Sequence, residues 1–220
     1  MNKSVYSLVL SDDVVAAVDR EAYRAGMSRS AYINKVLAEA VSYITPEKRM
    51  NDIFGEIEQL MNSDIFRIMP RPSDTAFAMR SALQYKYKPV IRYGIELTRS
   101  LDSTLGKLRV SLRTQSEALI ADFAKFIELW ARLEKAYIIR YFPDGITYKT
   151  EDGKFTRIFR LPPDKHSLSD NEIAAALSEY IGVFDEIIKL YFANADDPEK
   201  ASELASKRYR EHLTAGMPII

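Results

Sequence analysis

The sequence predicts an α+β protein that begins with a small strand–helix–helix module and continues into a larger domain built on an antiparallel sheet. An apolar six-residue segment precedes two short amphipathic helices, each introduced by a serine. Further along, two stretches of alternating apolar and polar residues, each divided by a turn, are followed by long helices with an apolar face. A segment with two prolines, residues 67–73, separates the two regions.

The first predicted element is a strand over residues 5–10. Its residues are β-branched, aromatic or aliphatic except for one serine, a composition typical of strands. Because side chains alternate along a strand, one face carries Tyr6, Leu8 and Leu10. The opposite face carries Val5, Ser7 and Val9.

Two helices follow this strand. Ser11 stands before Asp12 and Asp13, which suits a capped N-terminus, and Gly26 provides a stop. Ser28 begins the second helix, which ends before Pro46. A lone strand with two short helices cannot bury its own apolar faces. The sequence therefore predicts that a second copy of the chain completes this module through a two-fold axis.

The strand, the two capped helices and the turn Gly26-Met27-Ser28-Arg29-Ser30 resemble the ribbon–helix–helix family of the Arc, MetJ and CopG type. The resemblance covers residues 1–45 and implies an intertwined homodimer, or a higher even oligomer, whose two-stranded ribbon enters the major groove of double-stranded DNA. It also implies a bacterial-type transcriptional regulator. The implied base-facing residues are Lys3, Val5, Ser7 and Val9, and the implied phosphate-binding residues are Ser28, Arg29 and Ser30.

The outward residues differ from the polar or basic side chains that are usual in that family. Valines can contact only thymine methyl groups, whereas bidentate donors and acceptors distinguish base pairs. An alternative is an interaction or assembly protein whose ribbon serves only for dimerisation.

The rest of the chain is predicted as a connection, residues 46–73, and an α+β domain, residues 74–220. The connection contains an amphipathic helix over residues 47–62, followed by the proline-containing linker. In this domain a β-hairpin followed by a helix occurs twice, at a spacing of about 50 residues. The pattern indicates an antiparallel sheet of about four strands and a duplicated ββα unit. Long helices are expected over residues 116–137 and 169–192. No family resemblance was identified for this domain.

The first hairpin, residues 83–113, combines an apolar face with a basic one. Residues 67–114 contain ten basic and three acidic side chains, a net charge of +7. One interpretation is a second nucleic-acid surface, on which the tyrosines at 85, 87 and 93 stack bases. The protein would then be an accessory factor of a mobile element that binds single strands or RNA. A solvated outer face is the other. The basic residues concerned are Lys86, Lys88, Arg92, Lys107, Arg109 and Arg113.

Nothing in the sequence predicts an enzyme. The chain lacks cysteine, and its two histidines do not stand at metal-ligand spacing, so neither a metal nor a cofactor is expected. No Walker loop, nucleophile elbow or dinucleotide fingerprint is present. The absence of an apolar run of ~18 residues and of a secretory leader predicts a cytoplasmic protein without membrane contact. An unknown small-molecule or protein effector at the second domain is left open.

Overall fold

The computed structural model describes residues 5–83, 85, 88–101, 104–163 and 168–220. The chain divides into two compact units, Met1–Lys48 and Arg49–Ile220. This division lies well before the prolines at 70 and 72, so the part of the predicted connection after residue 48 belongs to the second unit.

Among its described residues, the first unit contains two complete helices, α1 (Asp12–Arg24) and α2 (Arg29–Ala40), and the first three residues of a third helix that continues into the second unit. Gly26 between them adopts φ +64°, a left-handed conformation that favours glycine. The Ser28 hydroxyl accepts a hydrogen bond from the backbone N–H of Ala31 at 3.3 Å and so caps α2. Ser11 occupies the corresponding position before α1, but its side chain makes no capping hydrogen bond.

Residues 5–10 have no secondary structure in the single chain. The sequence predicts a strand there that pairs with a second copy, and one chain by itself supplies no partner strand. Pairing of this segment, and with it the ribbon–helix–helix arrangement, remains a prediction.

In its described residues, the second unit is an α+β domain with a six-stranded antiparallel sheet in the order β1-β2-β3-β4-β6-β5. The prediction of about four strands is therefore wrong in number, because the three-residue β1 is too short to show a period and the alanines in β2 favour a helix. The strands are β1 (Phe66–Ile68), β2 (Ala76–Ala82), β3 (Val90–Leu97), β4 (Thr104–Arg113), β5 (Tyr148–Glu151) and β6 (Lys154–Arg160).

Four helices complete the second unit in the described part of the chain. They are α3 (Pro46–Leu60), α4 (Glu117–Tyr137), α5 (Asp170–Ala193) and α6 (Pro198–Thr214), with a short 3₁₀ helix at Ile139–Tyr141. The sequence predicts α4 from its apolar stripe and α5 from the capping box of Ser169 and Glu172, which the structure contains. Two hairpin–helix segments, β3–β4–α4 and β5–β6–α5, occur in the chain, but the relation between them is not a demonstrated duplication.

One hydrophobic core joins the helices to a single face of the sheet. Strand β3 alternates strictly, with Ile91, Tyr93, Ile95 and Leu97 buried. Helix α3 contributes four fully buried residues to the same core, Met50, Ile53, Phe54 and Ile57. The alternation places the remaining side chains of the sheet on its other face, which we call the open face.

Two polar clusters are buried in this core. Glu134 on α4 pairs with Arg157 on β6 at 2.9 Å, and both side chains are almost completely buried. Asp185 on α5 accepts hydrogen bonds from Ser81 at 2.6 Å and from Tyr93 at 2.8 Å. Because buried polar groups need partners, these clusters fix how the helices sit on the sheet.

Among the described residues, no helix is both long enough and apolar enough to cross a membrane.

Candidate nucleic-acid interfaces

The segment 5–10, the proposed ribbon, shows alternating exposure even in the single chain. Of the side chains predicted to face inward, Tyr6 exposes 83% of its surface, Leu8 62% and Leu10 42%, whereas Val5 exposes 99% and Val9 is fully exposed. The two leucines are thus partly covered, and Tyr6 is largely exposed. Ser7 is exposed with the valines, and Lys3 lies outside the described residues.

The first unit buries very little apolar surface. Among its described residues, only Ala22 and Ala38 are buried apolar side chains. A unit of this size normally needs a larger core to fold. Large apolar side chains are instead exposed along the ribbon segment and both helices: Val5, Tyr6, Leu8, Val9, Leu10, Val14, Tyr23, Met27, Val36, Leu37, Val41, Tyr43 and Ile44.

The three predicted phosphate-binding residues lie at the beginning of α2, as expected from their sequence position. Ser28 is the cap, and Arg29 and Ser30 form the exposed first turn. The backbone N–H groups of Arg29 and Ser30 donate to no other described residue, which is usual in the first turn of a helix.

Arg29 also makes a contact that the sequence did not reveal. Its Nε and Nη2 atoms donate to the two carboxylate oxygens of Asp19 on α1, each at 2.5 Å. The hydrogen bond from Arg29 lowers the pKa of Asp19 below its usual value, and the same contact raises the pKa of Arg29. The pair joins the two helices and leaves the Nη1 edge of the guanidinium without a partner among the described residues.

On the second unit, four of the six predicted basic residues lie on the open face. Arg92 belongs to β3, while Lys107, Arg109 and Arg113 belong to β4. Lys88 is exposed in the turn before β3 with φ +42°, and Lys86 lies outside the described residues. The hairpin with one apolar and one basic face is therefore present.

The expectation that tyrosines stack bases on this face is wrong for two of the three. Tyr93 points into the core, where its hydroxyl donates to Asp185, and burial, followed by the charge of Asp185, raises its pKa well above the usual value. Tyr85 packs edge-on against Phe192 of α5. Tyr87 lies outside the described residues. The alternation of a strand places Tyr93 opposite to its basic neighbour Arg92, so the two cannot share a surface.

The open face carries five further basic residues that sequence reasoning missed. Arg67 was assigned to a linker, and Arg80 to a segment of ambiguous structure. Three others come from the second hairpin, which is brought beside the first because β6 pairs with β4. The five are Arg67, Arg80, Lys149, Lys154 and Arg160.

Acidic partners are confined to one side of this face. Glu96 pairs with Lys107 at 2.7 Å and lies 3.7 Å from Arg109, while Glu151 pairs with Lys149 at 2.7 Å. A hollow of about 490 Å³ lies among these β4, β5 and β6 side chains. On the other side, Arg67, Arg80 and Arg92 have no ion-pair or hydrogen-bond partner among the residues that the structure describes.

The described ranges contain no cluster of three or more His, Cys, Asp or Glu side chains that could hold a metal ion. His212 contacts Glu186 at 3.0 Å on the surface of α6, and His166 lies outside the described residues. No family model matches the chain, and neither a curated protein nor a solved structure matches it.

Proposed function

We propose that the protein is a homodimeric, sequence-specific DNA-binding protein that acts as a transcriptional regulator and inserts a two-stranded ribbon, residues 5–10 of two copies, into the major groove. The observation that carries this proposal is the uncovered apolar surface of the first unit. A unit with two buried alanines as its described core needs a second copy to cover its leucines and valines.

Pairing of two ribbon segments would cover the partly exposed leucines and leave the outward set free. Val5, Ser7 and Val9 would then face the DNA bases. Valine methyl groups suit thymine methyls, and the Ser7 hydroxyl can both donate to and accept from base edges. Base reading through one hydroxyl and two apolar side chains predicts modest discrimination, with a preference for A·T pairs at the valine positions.

Phosphate binding would use the first turn of α2. The free N–H groups of Arg29 and Ser30 and the positive end of the helix dipole favour an anion there. In this arrangement Asp19 holds the Arg29 guanidinium in one orientation, and the unpartnered Nη1 edge supplies the donors for a phosphate oxygen.

A second candidate is a ribbon that only dimerises the chain. The pairing of Arg29 with Asp19 favours this alternative, because it offers a purely structural role for the residue implied in phosphate binding. Exposed ion pairs contribute only about 0–1 kcal/mol to stability, so a structural role for Arg29 predicts a small effect of its removal.

Salt-dependent binding to random-sequence duplex DNA separates the two candidates. If Arg29 contacts a phosphate, Arg29→Ala should weaken binding to all duplex sequences alike and lower the slope of log affinity against log salt by about 0.9 per contact. Arg24→Ala is the matched control, since Arg24 is an exposed arginine of the same unit that pairs with Glu21.

Asp19→Asn provides the second control, because it removes the ion pair and keeps Arg29. DNA affinity retained in Asp19→Asn but lost in Arg29→Ala supports a phosphate contact. Equal losses in both variants would assign Arg29 to holding α1 and α2 together. Unchanged binding in every variant would favour the ribbon as a dimerisation device only.

A further inference from the structure

We propose that a row of unpaired arginines across β1, β2 and β3, which we call the arginine ladder, binds the phosphate backbone of duplex DNA. The ladder consists of Arg67, Arg80 and Arg92. The inference goes beyond the proposed function because it assigns a second binding surface on the other unit, and it rests on that function only in taking DNA as the ligand.

The register of the sheet places these three side chains directly beside one another. Arg67 is the cross-strand neighbour of Arg80, and Arg80 is the cross-strand neighbour of Arg92. All three lie on the open face, since Phe66 and Ile68 pack on the core from the opposite face of β1, and Met79 and Ser81 are buried on either side of Arg80. Adjacent strands are about 4.8 Å apart, so three positive charges originate within roughly 10 Å.

The proximity of the three arginines destabilises the sheet as long as no anion is bound. Like charges directly opposite each other on neighbouring strands destabilise a sheet, and the ladder contains two such pairs with Arg80 in both. No carboxylate among the described residues neutralises any of the three. An external anion that accepts from several guanidinium groups removes the repulsion and gains charge-assisted hydrogen bonds.

The row continues beyond the arginines with further donors. Arg92 is the cross-strand neighbour of Ser111, and Ser111 is the neighbour of Lys154. Five strands therefore present donor side chains along one line, which spans roughly 19 Å at the usual strand spacing. Such a line suits a polymer of phosphates better than a single small anion.

The chemistry of the face favours a duplex over a single strand. Surfaces that bind single-stranded nucleic acid combine basic grooves with aromatic rings on which bases stack. Here the aromatic residues of the described central strands, Phe77, Tyr93, Phe155 and Phe159, are buried in the core. Cations without stacking rings recognise the backbone, which is what a duplex exposes.

The test uses the full-length protein with all three ladder arginines replaced by glutamine. Because each phosphate contact contributes about 0.9 to the salt slope, the variant should lose about 2.7 from it. The ratio of wild-type to variant affinity for duplex DNA should therefore fall about 40-fold as the salt concentration rises from roughly 50 to 200 mM. The control replaces three exposed basic residues on the helices, Arg132, Lys207 and Arg210, with glutamine, so that net charge changes equally.

Unfolding in urea at low salt supplies a second measurement. Because the repulsion is relieved, the ladder variant should unfold at the same or a higher urea concentration than the wild type, which separates lost binding from lost folding. A ladder variant that binds duplex like the control overturns the proposal. Stronger competition by single-stranded DNA or RNA than by duplex of equal phosphate number overturns the choice of ligand.

Arg29→Ala distinguishes failure of the ladder from failure of the proposed function, because it leaves the apolar surface between copies unchanged. If the first unit does not bind DNA, Arg29→Ala leaves duplex affinity unchanged while the ladder variant loses it. If the ladder does not bind DNA, the ladder variant matches its control while Arg29→Ala loses affinity.

Discussion

Replacement of Arg157 by methionine would remove one partner of the buried ion pair between β6 and α4. The guanidinium is 1% exposed, and its Nε lies 2.9 Å from Oε1 and 3.1 Å from Oε2 of Glu134. Burial acts to lower the pKa of Arg157, but the charge of Glu134, the neighbouring hydroxyls of Tyr180 and Tyr148 and the hydrogen bond to Glu134 together outweigh burial, and the pKa is raised. Arg157 therefore stays charged in the folded protein.

The loss of stability expected in Arg157→Met follows from the hydrogen bonds that Glu134 keeps. Glu134, with no exposed surface, would keep only the hydroxyl donors of Tyr148 and Tyr180. An uncompensated buried charge costs about 3–5 kcal/mol, out of a total stability of about 5–15 kcal/mol for a typical domain. Part of this loss is offset, since the Nη1 atom of Arg157 is buried without a partner among the described residues.

Urea denaturation measured by circular dichroism tests this prediction. Adding Glu134→Gln to Arg157→Met should restore most of the lost stability, because the amide is neutral, its oxygen can accept from one tyrosine hydroxyl and its N–H can donate to the other. A loss below about 1 kcal/mol, or no rescue by the second substitution, would refute the reasoning.

Two further predictions concern the first unit. The wild type should sediment as a dimer at micromolar concentration. Leu8→Asp should sediment as a monomer, because it places a charge in the apolar surface between the two copies. A monomeric wild type would contradict the proposed dimer. Chymotrypsin should cut first in the exposed segment between α2 and α3, at Tyr43, and leave the second unit intact. First cleavage after Phe66, in β1, would contradict the division of the chain after residue 48.

Sequence alone predicts the elements whose side chains repeat over several turns or residues. The alternation around Ile91, Tyr93 and Ile95 identified β3, and Ser116 and Ser169 marked the beginnings of α4 and α5. In each of these elements the pattern is local, because one buried face imposes the period.

The set of residues on the open face could not be predicted from the sequence in the same way. Whether Arg67 and Arg80 are neighbours depends on strand order and register, which are set by pairings between distant parts of the chain. β1 is too short for a period, and the alanines of β2 favour a helix. The contact between Arg29 and Asp19 likewise depends on how α1 and α2 pack, which their sequence spacing does not reveal.

Selection of bound fragments from a random duplex library, with the full-length protein, tests the central claim most directly. A dimer that reads bases through two copies of residues 5–10 should enrich a two-fold symmetric sequence. Ser7→Ala, which removes the polar outward side chain between Val5 and Val9, should change the preferred bases at matching positions in both half-sites. Enrichment without symmetry, or no enrichment over the input library, would contradict the claim that the ribbon reads DNA.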